Sequence, residues 1–166
     1  MGPDEALTQL MTESGDRLLR LAYQLTHDHS AAEDVVQEAL VSMYRAWRRA
    51  TPDIDNVPAY ARRAVVNEYL RRRRLRSSTE LVTDHVPEQP TPDLETAVVD
   101  RDELWRALGR LPARQRAVLV LRYYEQLSDA QIAAVLDAKE ATVRSLALRG
   151  LIALRASDLV VDGGAS

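Results

Sequence analysis

Apolar residues in this chain recur at intervals of three and four, and no stretch of useful length alternates apolar with polar residues. The first spacing places apolar side chains on one face of an α-helix, whereas a half-buried strand requires strict alternation. We therefore expect an all-α fold without any sheet. The chain has 166 residues, of which 46% are hydrophobic and 28% are charged, so it is long enough to bury a core.

Charge is strongly segregated along the middle of the chain. Residues 62–76 contain seven arginines and one acid, whereas residues 80–103 contain eight acids and one arginine. The stretch 77–93 carries three prolines and has no helical or strand period. We interpret it as a linker between two small helical domains; one domain with an ordered surface loop is the alternative. The expected segments are a first domain 1–76, the linker 77–93, a second domain 94–156 and a flexible tail 157–166.

Three helical patterns occupy the first domain. Leu18, Leu21 and Leu25 form an apolar stripe in the first of them. Ser30 and Glu33 have the spacing of a capping box, so we expect a second helix to begin there and to run to about residue 49. A third helix is expected to open near residue 56, with a proline in its first turn where the missing N–H costs nothing.

The second domain has a helix-turn-helix pattern near its end. We expect one helix from an apolar stripe that includes Leu94 and Val98, and another that opens at Pro112. Ser128 and Gln131 then have capping-box spacing before a short helix, residues 137–139 break the pattern, and a longer helix follows over 140–155. Such a pair is typical of DNA-binding proteins, in which the second helix enters the major groove, although helical hairpins of plain bundles have the same spacing.

Several classes of site are not expected. The chain has no cysteine, which excludes disulfides, thiol nucleophiles and cysteine-bound metals. Its histidines, His27, His29 and His85, lack an obvious third ligand, so we expect no metal, no cofactor and no enzymatic activity. The net charge of −3 argues against coating nucleic acid by bulk electrostatics. Without a signal sequence or a long apolar run, we expect a cytoplasmic protein that is not inserted in a membrane.

Two blocks of the sequence resemble a known family. One is RLLRLAYQLTHDHSAAEDVVQEALVSMYRAW with the following VPAYARRAVVNEYLRRRR, and the other is LPARQRAVLVLRYYEQLSDAQIAAVLDAKEATVRSLALRGLIALR. They are similar to the second and fourth conserved regions of the sigma-70 family of bacterial transcription initiation factors, in its small extracytoplasmic-function group. The quoted blocks make up more than half of the chain. It implies core RNA polymerase and promoter DNA as partners, and it leaves room for an anti-sigma factor.

The resemblance also assigns roles to individual residues. The surface that grips the clamp helices of the polymerase's largest subunit would comprise Asp34, Gln37, Glu38, Tyr44 and Arg45. Reading and melting of the downstream (−10) promoter element would involve Arg63, Asn67, Arg71, Arg72, Arg73 and Arg74, with Asn67 as a base-pocket residue. Contacts to the upstream (−35) element would come from Thr142, Arg144, Ser145 and Arg149.

This chain departs from the family pattern in its last helix. Ala141 stands where glycine is usual, Leu146 stands where a polar residue is common, and Leu148 adds a further aliphatic side chain. Two other functions therefore stay open at this point. One is a helix-turn-helix regulator that binds an operator without polymerase. The other is a degenerate sigma-like interaction module that binds a partner but has lost promoter reading.

Overall fold

The structure, a computed structural model, describes residues 2–49, 56–77, 97–99, 101–156 and 160–162. The chain divides into two compact units, Met1–Thr79 and Glu80–Ser166. The boundary between the units falls inside the expected linker 77–93, of which only Ser77 lies among the described residues. The expected domain limits therefore stay predictions, and most of the expected tail also lies outside the described residues.

The described part of the first unit consists of three helices, α1 (Pro3–Thr26), α2 (His29–Arg49) and α3 (Val57–Ser77). Each helix packs its apolar stripe against the other two. Because the three stripes exclude water together, they form one core. Its buried members are Leu10, Leu18, Leu21, Ala22, Leu25, Ala32, Val35, Val36, Ala39, Met43, Trp47, Ala61, Val65, Val66, Tyr69 and Leu70.

The starts of the helices show which local signals dominate. Helix α1 extends back to Pro3, beyond the leucine stripe, although the residues before that stripe include threonines and a glycine, which have low helix propensity. The hydroxyl of Thr8 donates to the Asp4 carbonyl at 2.8 Å, so this residue bonds within the helix. The capping box expected at Ser30 is wrong: Asp28 caps α2, and its carboxylate accepts from the Ala31 N–H at 2.9 Å.

Helix α3 begins as expected. The Asn56 side chain accepts from the Ala59 N–H at 3.1 Å, and Pro58 lies in the first turn. In the same part of α3, the ring of Tyr60 stacks on that of Trp47, with centroids 6.4 Å apart. This contact fixes the N-terminal part of α3 against α2.

The described part of the second unit also consists mainly of helices. They are α4 (Arg101–Arg110), α5 (Ala113–Leu119), which continues as a π-helical turn (Val120–Tyr124), α6 (Asp129–Leu136) and α7 (Glu140–Ala156). The helical fold class is thereby confirmed. Residues 115–121 are all buried, so α5 runs through the centre of the unit. Arg116 is one of them, and its guanidinium donates to the carbonyls of Gly109 and Leu111 at the end of α4, which have no partner within that helix.

The expectation of a chain without sheet is wrong in one detail. Strand β1 (Ala97–Val99) pairs antiparallel with β2 (Val160–Asp162), with Val98 opposite Val161. Leu94 lies outside the described residues, but Val98 belongs to this strand and not to the helix expected there, which begins at Arg101. Valine has a high preference for extended backbone.

The helix-turn-helix of α6 and α7 forms as expected. Ser128 accepts from the Gln131 N–H at 3.1 Å, and the Gln131 side chain accepts from the Ser128 N–H at 2.8 Å. Asp137 ends α6 in the left-handed conformation, with φ of 51°. Val143, Ala147 and Gly150 are the buried side of α7, whereas Leu146, Leu151 and Leu154 are half-buried.

Candidate functional site

The five residues expected to bind the polymerase lie on one face of α2, opposite its buried stripe. Asp34, Gln37 and Arg45 are exposed, and Glu38 and Tyr44 are half-buried. The Arg48 guanidinium carbon lies 5.8 Å from the centre of the Tyr44 ring, a distance at which the cation is attracted to the aromatic face. The face therefore begins acidic and ends basic and aromatic.

Val41 also belongs to this face, and sequence reasoning missed it. Its side chain is 40% exposed and lies seven residues after Asp34, which is two helical turns along the same stripe. The signal was present, because an apolar residue on the solvent side of an amphipathic helix is a candidate contact. A groove of about 680 Å³ continues from this face toward α1; its lining residues are Leu7, Leu40, Val41, Tyr44, Arg45, Arg48 and Arg49.

Four of the six residues expected to act on the downstream element share one exposed face of α3. They are Arg63, Asn67, Arg71 and Arg74, each exposed and spaced by four, four and three residues. At 1.5 Å per residue, this row extends over roughly 16 Å. Asn67 thus lies in a basic row, with an arginine one turn before it and another one turn after it.

The other two arginines of the run are not part of that row. Arg72 and Arg73 are half-buried, and helical geometry places them on different sides of α3. The Nε of Arg72 donates to Glu68 at 2.9 Å, and its Nη2 donates to the Asp34 carbonyl of α2 at 3.4 Å. The four arginines that are consecutive in the sequence therefore do not share one surface in the structure.

Glu68 binds one arginine of the exposed row and one arginine outside it. It is buried, and it accepts from Arg71 Nε at 3.0 Å, from Arg71 Nη2 at 2.7 Å and from Arg72 Nε at 2.9 Å. The hydrogen bonds from Arg71 lower the pKa of Glu68 below its ordinary value of 4.5; burial opposes this effect and the bond from Arg72 adds to it. The carboxyl group is therefore held in its charged form.

The residues expected to contact the upstream element lie on the side of α7 that faces away from α5. Arg144, Ser145 and Arg149 are exposed, and Thr142 is half-buried. Leu148 is 43% exposed within the same surface. The exposed guanidinium of Arg144 makes only a loose ion pair with Glu140, at 3.7 Å, so it is available to other acceptors.

Metal binding and membrane crossing gain no support from the described parts of the chain. Among those residues, no three His, Asp or Glu side chains are grouped so that they could hold a metal ion. None of the described helices combines the length and the apolar character needed to cross a membrane.

Comparisons with known proteins identify both units. The family model for Sigma-70 region 2 matches residues 10–79, and that for Sigma-70, region 4 matches residues 101–154. The RNA polymerase sigma-E factor of Streptomyces coelicolor is 37% identical over 140 residues, which cover 84% of this chain and 78% of that protein. The ECF RNA polymerase sigma factor SigL of Mycobacterium tuberculosis is 38% identical over 155 residues, which cover 88% of this chain and 85% of that protein.

A solved structure shows the same fold. The sigma factor RpoE of Bartonella quintana, solved in complex with the anti-sigma factor NepR, aligns with a TM-score of 0.64 at 23% identity, over 90% of this chain and 94% of that chain. Two regions in the family's order and relatives that match along most of their length lead to one conclusion. The chain belongs to the sigma-70 family of RNA polymerase sigma factors, in its extracytoplasmic-function group.

Proposed function

We propose that this chain binds core RNA polymerase through the exposed face of α2 and directs it to promoters through α3 and α7. The observation that carries the proposal is the meeting of two different surfaces in one unit. The α2 face with its two carboxylates borders α3: Glu38 lies near enough to Arg71 of the basic row to act on it electrostatically, and Arg72, outside that row, reaches the Asp34 carbonyl. The polymerase performs the chemistry, and this chain supplies the reading of DNA, in the cytoplasm where that enzyme acts.

The α2 face has the composition of a protein-binding surface. The carboxylates of Asp34 and Glu38 and the amide of Gln37 suit a basic partner helix, and Val41 supplies an apolar contact between these groups and Arg45. Interfaces of this kind combine apolar and aromatic anchors with a polar surround. Charge complementarity then provides a fast encounter and a fixed register.

The basic row of α3 suits a separated DNA strand. A base taken out of a duplex loses stacking and pairing worth a few kcal/mol, which a protein must replace with its own contacts. The Asn67 amide offers both donors and an acceptor to a base edge. Arg63 and Arg71, one turn away on either side, would hold the adjacent phosphates.

Helix α7 suits duplex DNA. Arg144 and Arg149 are exposed guanidiniums that fit phosphates or the guanine edge, and Ser145 fits either bases or phosphates. The net charge of −3 indicates that the free chain binds DNA weakly. Assembly with polymerase would compensate, because two moderate contacts on one complex benefit from a high effective concentration.

The test is transcription with purified components. Core polymerase is incubated with the chain and sheared genomic DNA of the source organism, and the 5′ ends of the transcripts are sequenced. We expect complex formation in gel filtration and a set of defined start sites that core polymerase alone does not produce. Failure of the chain to co-migrate with core polymerase at low salt would refute the proposal.

A second candidate is a sigma-like module that binds polymerase but no longer reads promoters. The 43% exposure of Leu148 among the arginines of α7 favours it, because an apolar side chain there suits a protein partner. The same transcription experiment separates the two candidates. A stable complex with core polymerase that produces no defined start sites would support the module, whereas defined start sites would exclude it.

A further inference from the structure

We propose that Glu68 is a positioning residue that divides the arginine run of α3 between two tasks. It keeps Arg71 on the Asn67 face for the promoter strand, and it commits Arg72 to fastening α3 to the polymerase-binding helix α2. Arg72 then takes no part in binding DNA, although the sequence places it in the same run. This inference rests on the proposed function, since it concerns the strand-binding surface of that function.

The first step is the position of Arg72 on the helix. It follows Asn67 by five residues, which at 100° per residue places it roughly 140° away around the helix axis. The row of Arg63, Asn67, Arg71 and Arg74 is exposed, whereas the Arg72 side chain is only 35% exposed. A strand that follows the row would therefore pass on a different side of α3 from the Arg72 guanidinium.

The second step is that two donors of the Arg72 guanidinium are already engaged, one with α3 and one with α2. Its Nε donates to the buried carboxylate of Glu68 at 2.9 Å, and its Nη2 donates to the Asp34 carbonyl at 3.4 Å. Arginine presents its donors in a rigid plane, so turning toward a phosphate would break both contacts together. It would also deprive a buried carboxylate of one of its two cations, which is unfavourable.

The third step is that Arg71 differs from Arg72 although both bind the same carboxylate. Its side chain is 49% exposed, and it lies one turn after Asn67 in the exposed row. Glu68 holds its Nε at 3.0 Å and its Nη2 at 2.7 Å, which leaves Nη1 outside these two bonds. A guanidinium fixed along one edge and open on the other is oriented in advance for a phosphate.

As a consequence, the contacts of Glu68 and Arg72 connect the two proposed surfaces. The carboxylate of Asp34 belongs to the polymerase-binding face, while its carbonyl receives Arg72. Glu38 of α2 also stabilises the charged form of Arg71, because it lies near enough to act electrostatically. Glu68 therefore holds the basic row of α3 at a fixed place relative to the helix that grips the polymerase.

The test measures phosphate contacts by their salt dependence. The full chain is assembled with core polymerase, and binding of a labelled single-stranded oligonucleotide of mixed sequence is followed by fluorescence anisotropy from about 50 to about 200 mM salt. Affinity falls as salt rises, and each phosphate contact contributes about 0.7 to the magnitude of the slope of log affinity against log salt concentration; this magnitude is called the slope below. We expect Arg71→Ala and Arg74→Ala each to lower the slope by about that amount and Arg72→Ala to leave it unchanged.

Removal of the carboxylate gives the decisive comparison. We expect Glu68→Ala to raise the slope by about 0.7, since the long Arg72 side chain, released from Glu68, can turn toward the strand and meet a phosphate, and the double variant Glu68→Ala/Arg72→Ala to return to the wild-type slope. A merely structural role for Glu68 would not produce this reversal. Glu68→Gln keeps the side-chain volume and takes the place of Glu68→Ala if that variant folds poorly. We expect it to raise the slope as well.

The outcomes separate the two levels of the proposal. An equal loss of slope in Arg72→Ala and Arg71→Ala would overturn the role given to Glu68, as would an unchanged slope in both variants of Glu68, while the proposed function would stand. If the wild-type chain forms no complex with core polymerase, the proposed function fails and this inference fails with it.

Discussion

Arg122, in the π-helical turn, forms an ion pair with Asp129, the first residue of α6. The two side chains are only 25% and 28% exposed, so solvent screens the pair less than it screens a surface pair. Asp129 also lies at the positive end of the α6 dipole. The contact ties the central helix of the second unit to the start of the helix-turn-helix.

We expect Asp129→Asn to destabilise the second unit by about 1–2 kcal/mol, because a charge-assisted hydrogen bond is lost and Arg122 keeps its charge. Denaturant unfolding followed by Trp105 fluorescence, in a Trp47→Phe background, would measure this. Arg144→Gln is the matched control: its pair with Glu140 is exposed and longer, at 3.7 Å, so we expect a change below about 0.5 kcal/mol. Equal effects of the two substitutions would contradict the prediction.

The stability of the first unit should depend on pH through Glu68. Arg71 lowers the pKa of this carboxyl in the folded chain below 4.5. A group whose pKa is lower when folded adds stability that is fully present above its unfolded pKa and is lost as the pH falls through its folded pKa. We expect the free energy of unfolding, followed by Trp47 fluorescence in a Trp105→Phe background, to fall more steeply from about pH 6 to about pH 3 with Glu68 in place than in Glu68→Gln. Parallel curves would show that Glu68 makes no such contribution.

Gly150 lets α7 approach α5 closely. A Cβ at this position would lie 2.9 Å from Leu119 Cδ1 and 3.6 Å from Gln115 Cβ, and both neighbours are buried. We expect Gly150→Ala to destabilise the second unit by about 1–2 kcal/mol, because overpacking outweighs the gain in helix propensity. Gly15→Ala is the control: its Cβ would meet only the exposed Met11 side chain, so we expect a gain of about 0.5–1 kcal/mol. A stabilising Gly150→Ala would refute the packing argument.

Asn67 should matter for strand opening more than for polymerase binding. Because its amide is exposed between two arginines on α3 and is not among the residues assigned to polymerase binding, Asn67→Ala removes the proposed base contact without removing a group of the α2 face. Permanganate footprinting on a promoter found in the transcription experiment would measure opening, and we expect reactivity to fall at least about 10-fold, for loss of one polar base contact. Gln9→Ala, an amide lost from the exposed side of α1, serves as the control. Unchanged reactivity in Asn67→Ala would count against the base-pocket role.

The acidic part of the α2 face should be needed for polymerase binding. Reversal of two charges opposite a basic partner costs several kcal/mol, so we expect Asp34→Lys/Glu38→Lys to weaken binding to core polymerase about 100-fold. Pull-down with immobilised core polymerase would measure the loss of binding. Glu13→Lys/Asp16→Lys makes the same charge change on exposed positions of α1 and should bind nearly normally. Equal retention of the two variants would mean that the assigned face is wrong.

Helix boundaries were predictable where a single local signal was present. The capping box of Ser128 and Gln131 forms as its spacing predicts, since both partners lie within four residues of each other. At α2 two local signals competed, and Asp28 took the place expected for Ser30. The side chains that could cap differ by two residues, and spacing alone did not decide between them.

The sequence by itself determined the helical class, the helix-turn-helix and the exposed faces of α2 and α7, because helical periodicity fixes which side chains share a side of a helix. Only the tertiary structure decided how the arginines of α3 are used: Arg72 meets the carbonyl of Asp34 across 38 positions of sequence. The same holds for the pairing of β1 with β2. Contacts between distant segments depend on how helices and strands pack in three dimensions, and no local pattern records that packing.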